Sequence, residues 1–148
     1  MAPSKPLPVP GLIDEDELPR PLLPRGWPRP SGYANGMTAK GRVIVTGGVV
    51  GWDVMGNFRQ GFAAQARQAF ANILAILAEG GAGPEHLVRL TWYVVDLDEY
   101  RASLREVGQA YRDTIGKHFP AMAVVGVTGL VEPAARLEIE ATAVVSES

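Results

Sequence analysis

Few side chains in this sequence have both the type and the placement to do chemistry, and Glu138 comes first. It alternates with Leu137 and Ile139 in Leu137-Glu138-Ile139-Glu140-Ala141, a period of two that turns the carboxylate away from the packed face of a strand. There it is either a solvated strand glutamate, paired with Arg136, or a carboxylate in a partly apolar cleft. In the second setting desolvation disfavours the charged form and suits the group to proton transfer. A second feature is the glycine-rich stretch from Gly47 to Asn57, which carries Trp52, Asp53 and Met55. Trp52 is then a packing plug or part of a lid, since loops over a rigid sheet often hold binding groups. Gly47-Gly48 with Gly51 lacks the spacing of a phosphate cradle and has no helix directly behind it. His86 and His118 flank strands without carboxylate or cysteine at ligand spacing, so they read as surface residues and no metal site is expected. No Gly-x-Ser-x-Gly or Ser/His/Asp arrangement occurs either.

The elements that must position these groups follow from periodicity. Tyr33 to Thr38 and Arg42 to Gly48 read as two short strands joined by Ala39-Lys40-Gly41 into a hairpin. Val43-Ile44-Val45 is continuous, so both faces of the second strand call for burial. Phe62, Ala66, Phe70, Ile73 and Leu77 recur at helical spacing until Gly80-Gly81 ends the helix. Leu87 to Val95 is a strand rich in β-branched and aromatic residues. Asp96-Leu97-Asp98-Glu99 has the form of a capping box, with Asp96 as N-cap and Glu99 reaching back. Tyr100, Leu104, Val107, Tyr111 and Ile115 make the stripe of a second helix closed by Gly116. Ala121 to Val127 and Arg136 to Val145 are the last strands, which gives the order ββαβ then αββ.

Composition narrows the classes. A chain of 148 residues, 47% hydrophobic and 20% charged, is long enough for one cored soluble domain. It has no cysteine, so thiol nucleophiles and cysteine-held metals are out. A net charge of −2 without a basic block argues against a nucleic-acid grip, and no apolar run approaches a membrane span. With no basic-then-apolar start, the expected location is cytoplasmic. Nine of the twelve prolines fall in residues 1–30, which predicts an extended arm ahead of a single domain over 31–148. The arm is either a disordered tail or, through Leu12, Ile13, Leu18, Leu22, Leu23 and Trp27, an ordered extension docked on the domain or a neighbouring subunit. The acidic run Asp14 to Glu17 reads as solvated surface. Two helices can cover only one face of one sheet. Val43-Ile44-Val45, Trp92-Tyr93-Val94-Val95 and Val124-Val125 place apolar groups on both, so self-association is expected.

Lys117-His118-Phe119-Pro120-Ala121, Leu137-Glu138-Ile139-Glu140-Ala141, Ala64-Gln65-Ala66-Arg67-Gln68-Ala69, Val95-Asp96-Leu97 and Ser31-Gly32-Tyr33 fall in register with a known pattern. Over about residues 31–145 the chain resembles the Rid (YjgF) family of small imine and enamine deaminases. The resemblance implies an α+β, chorismate-mutase-like fold with a ferredoxin-like βαβ arrangement. It implies one mixed or antiparallel sheet with two helices on one face, a homotrimer, and a small-molecule cleft between subunits. It also implies that Glu138 positions the attacking water and Tyr33 hydrogen-bonds substrate, with no cofactor. Thr46, Gly47, Gly48, Trp92, Met122, Val124 and Trp52 would line the cleft, Gly47 standing at the usual serine with Thr46 beside it.

The departures matter. A substrate-clamping arginine of the deaminating members is Met122 here, and an often-asparagine position is Leu104. Guanidinium binds carboxylate through a planar fork, and truncating one buried charge partner costs about 2–5 kcal/mol. Methionine offers only flexible apolar surface. The resemblance therefore implies a ligand other than the small 2-iminoacids, larger or more apolar, walled by Trp52, Trp92, Phe58 and Met122, unless Arg42, Arg89 or Arg136 reaches in. A deaminase of ring-cleavage products, similar to 2-aminomuconate deaminases, is one such enzyme. The alternative is a trimer that binds a ligand or partner without turnover. A ribonuclease or translation inhibitor, as some relatives have been labelled, fits the acidic balance poorly.

Overall fold

In the computed structural model, residues 18–147 are described, so the readings of Leu12, Ile13 and Asp14 to Glu17 lie outside the described residues. The centre of the domain is a mixed five-stranded sheet. Its strands are β3 (Arg42–Val45), β4 (Val49–Val50), β5 (Leu87–Val94), β6 (Ala121–Gly126) and β7 (Leu137–Val145). The order is β3-β7-β5-β6, with β4 also pairing β7. β7 is antiparallel to β3, β4 and β5, whereas β5 and β6 are parallel. Parallel neighbours need a crossover, and the helices between β5 and β6 supply it.

Helix α1 (Phe62–Glu79) buries the expected stripe, with Phe62, Ala66, Phe70, Ile73 and Leu77 all inside. Gly81, at φ +77°, turns the chain out of it, and the Ala82 N–H closes on the Leu77 carbonyl at 2.9 Å. The second helical stretch is two helices, α2 (Leu97–Ala102) and α3 (Leu104–Thr114). Ser103, at ψ 7°, leaves the helical region and breaks the single helix that the stripe predicts. Leu104 consequently rotates off the stripe and is exposed, while Val107, Tyr111 and Ile115 are buried. Asp96 is the N-cap, accepting from the Asp98 and Glu99 N–H groups. Glu99 does not reach back to close the box. Its carboxylate takes the Arg136 guanidinium instead.

The predicted hairpin is the main correction. β2 is only Met37–Thr38, and it pairs with β1 (Arg20–Pro21) in a separate two-stranded ribbon rather than with β3. The Pro-rich segment thus competes for the edge that the turn signal assigned to β3. Residues 18–30 are an ordered arm in this chain, held also by the Leu22 N–H on the Gly36 carbonyl at 2.9 Å.

Helices cover one face of the sheet, where Leu90, Trp92, Val94, Leu137, Ile139, Ala141 and Ala143 meet Phe70, Ile73, Val107 and Tyr111. Period two sends the alternate residues to the other face. There Val43, Val45 and Val125 stand exposed among Arg89, Thr91, Tyr93, Glu138, Glu140 and Thr142. Of the Val43-Ile44-Val45 run, only Ile44 packs on the core.

Candidate functional site

Glu138 lies near the start of β7, directly across from Val50 on one side and Tyr93 on the other. Its side chain rests on the backbone of Gly48. A Cβ at that glycine would stand 2.5 Å from Oε1 and 2.9 Å from Cγ, so only glycine lets the carboxylate occupy this place. Arg136, the expected partner, stands just ahead of β7 and is committed to Glu99 on α2. Among the described residues Glu138 has no cation within ion-pair distance.

Tyr93 completes this corner, and sequence reasoning missed it. Its hydroxyl donates to Glu140 Oε1 at 2.5 Å, one pleat along β7 from Glu138. That hydrogen bond, followed by burial and the charges of Glu140 and Glu138, holds the phenol above its usual range. The signal lay in phase: Tyr93 falls in step with Arg89 and Thr91 and out of step with Leu90, Trp92 and Val94, although the run from Trp92 to Val95 is apolar throughout.

The other expected residues divide among three places. Tyr33 is half exposed at the margin of β6, where the Ala34 N–H donates to the Pro120 carbonyl at 3.0 Å and Ala34 bridges Ala121. Met122 follows on the same margin. Met122 and Val124 pair with Leu90 and Trp92 and pack toward the core. From this margin Glu138 is two strands away, about 10 Å, and four residues further along the sheet, about 13 Å. A single chain therefore does not bring Tyr33 to Glu138.

Trp92 belongs to the core rather than a cleft wall. It is 3% exposed, edge-on to Phe70 at 5.4 Å and to Tyr100 at 6.1 Å. Thr46 is likewise structural. Its buried hydroxyl donates to the Gly47 carbonyl at 2.7 Å and accepts from the Ala141 N–H at 3.0 Å, so it has no proton left for a ligand. Gly47 beside it borders open space.

Trp52 is no buried plug. It leans on Phe58 at 5.8 Å, and its carbonyl accepts from Asn72 on α1. Asp53 takes the Met55 and Asn57 N–H groups, which stiffens the loop and leaves Val54 and Met55 fully outside. The histidines brace β5: His118 Nε2 meets the Leu87 carbonyl at 2.7 Å, and His86 Nδ1 accepts from Gly83 N–H. Of the candidate replacement arginines, Arg42 lies 3.9 Å from Glu147 and Arg136 is taken, while Arg89 stands on the open face. A groove of about 550 Å³ between α1 and α3, floored by Ala63, Ala64 and Ala110, contains none of the expected residues.

The described residues hold no helix long and apolar enough to cross a membrane. Residues 28–145 match the family described as Endoribonuclease L-PSP. A RutC family protein of Aquifex aeolicus is 32% identical over 112 residues, 76% of this chain and 87% of its own. A 2-iminobutanoate/2-iminopropanoate deaminase of Salmonella typhimurium is 30% identical over 112 residues, 76% of this chain and 86% of its own. Among solved structures, the Rid family protein YyfB of Yersinia pestis, itself of unknown function, superposes with a TM-score of 0.75 at 31% identity. That superposition covers 86% of this chain and 98% of the other.

Proposed function

The chain belongs to the endoribonuclease L-PSP family, the Rid (YjgF) proteins, and from that premise we propose that it hydrolyses the C=N bond of an imine, or of the imine tautomer of an enamine, with release of ammonia. The observation that carries this reading is Glu138, a carboxylate without a cation partner among the described residues, laid over Gly48 beside the Tyr93–Glu140 pair. In the reaction Glu138 takes a proton from water as its oxygen bonds to the imine carbon. That proton goes to nitrogen, giving a carbinolamine; Glu138 then carries the hydroxyl proton to nitrogen as well, the C–N bond breaks while the C=O bond forms, and carbonyl compound and ammonia leave. No net oxidation occurs.

The site in this reading is assembled from two chains of a homotrimer. One copy brings its β6 margin, with Tyr33 and Met122, against the Glu138 face of the next. The exposed Val43, Val45 and Val125 on the open sheet face supply the reason to associate. Met122 gives the floor no charge, so the substrate is larger or more apolar than a small 2-iminoacid.

Ammonia release from enzymatically generated 2-aminoacrylate and from longer imines tests this. Wild type should exceed the spontaneous rate with the longer compounds, and Glu138→Gln should fall to background with the trimer intact. Equal rates for the two proteins would remove Glu138 from the chemistry. Tight ligand binding without turnover would favour a non-catalytic binding trimer.

A further inference from the structure

We propose that the proline-rich arm, residues 18–30, docks on a neighbouring copy of the chain along the open sheet face that carries Glu138 and Glu140, lining the shared cleft with guanidinium groups. This rests on the two-chain site described above. The first support is that the arm is fixed yet uncovered. Main-chain pairing of Arg20 with Thr38 and of Pro21 with Met37 holds it, and the Trp27 N–H closes a turn on the Pro24 carbonyl at 3.1 Å. Leu22, Leu23 and Trp27 are nonetheless 46%, 43% and 58% exposed, three large apolar side chains within six residues. Fixed apolar groups cannot collapse on their own domain, so a second surface is needed to cover them.

Charge selects that surface. Residues 18–30 contain Arg20, Arg25 and Arg29 and no acid. None of the three has a carboxylate within ion-pair distance among the described residues. Among the described residues, the open sheet face carries Glu138 and Glu140 against one cation, Arg89, with Val125 as an apolar neighbour. The two surfaces are complementary in sign, and both are partly apolar.

Placement points between copies rather than within one. The arm runs into Tyr33 at the β6 margin, and Arg29, four residues earlier, lies at most about 14 Å along the chain from it. That margin is the one set against the neighbour's Glu138. An arm-on-sheet contact joins two different patches, and repeated around an axis it closes a ring. The guanidiniums then stand at the cleft mouth on the Glu140 side, leaving Glu138 to water, while Met122 stays at its floor. The substrate class that fits is an imine whose anionic group sits several bonds from the C=N carbon.

The chain has no cysteine, so introduced pairs report without background. Arg29→Cys with Glu140→Cys, and separately Arg25→Cys with Glu140→Cys, would be oxidised in dilute solution and run without reductant. At least one pair should give bands at two and three chain masses, lost on reduction and absent from the single variants. Disulfide closure needs Cα atoms about 4.4–6.8 Å apart, which makes the result specific. A trimer by light scattering with no ladder from either pair, or a compact monomer band from closure within one chain, would overturn the docking. A monomeric protein would overturn it together with the two-chain site. Cross-linked trimers from the variants, beside a wild-type protein that releases no ammonia from any of the imines, would leave the docking standing and remove only the hydrolase reading.

Discussion

At Gly48 a single methyl group separates the chemistry from the fold. Gly48→Ala would press on the end of the Glu138 side chain, which can swing away, so unfolding in urea should shift by less than about 1 kcal/mol. The carboxylate would be displaced by about an ångström, and ammonia release should drop about 10–100-fold. Met122→Arg asks the complementary question, since it adds a guanidinium on the margin shared with Tyr33. It should raise kcat/KM for small 2-iminoacids while leaving longer substrates unchanged or slower; no gain in a folded trimer would count against the register that aligns Tyr33 with Glu138. At this scale the sequence was half legible. Alternation placed Glu138 off the packed face, and glycine at 48 agreed with it. Thr46 and Trp92 misled because a hydroxyl and an indole look equally able to meet a ligand or a backbone and a core, and only packing decides. Tyr93 shares the polar phase of β5 with Arg89 and Thr91, a signal masked by the apolar run from Trp92 to Val95.

Between residue and fold, Gln65 holds more of the site's surroundings than any side chain in the glycine-rich loop. It is 3% exposed and donates to the carbonyls of Arg59 at 3.1 Å and Ala134 at 3.0 Å, while its oxygen accepts the Arg136 N–H at 2.8 Å. One amide thus joins α1, the loop before it and the entry to β7. Gln65→Leu would leave two carbonyls and an N–H dry, and urea unfolding should show a loss of about 2–4 kcal/mol. Helix α1 was readable from its stripe and β7 from its alternation, because local period and burial agree there. The hairpin was not. Arg20–Pro21 takes the ladder of Met37–Thr38, and β7 takes that of β3, a competition between distant segments that no local turn pattern contains. The break at Ser103 was likewise invisible to a stripe that continues across it.

For the molecule as a whole, one face of the sheet is finished and the other is not. The helix side is closed over a continuous core, whereas the opposite side keeps valines beside carboxylates. Composition foresaw that imbalance from continuous apolar runs and too few helices. How the copies meet depends on shape and charge across a boundary that a sequence read in one dimension does not describe. The separation of Tyr33 from Glu138 across two strands has a consequence for genetics. A cell carrying one allele damaged at Tyr33 and another damaged at Glu138 should not be a null. Mixed rings would contain some junctions where an intact β6 margin faces an intact β7, and random mixing predicts about a quarter of normal turnover. Tyr33→Phe and Glu138→Gln proteins, each silent alone, should recover that fraction when unfolded and refolded together, and a mixture as silent as its parts would put both residues back in one chain.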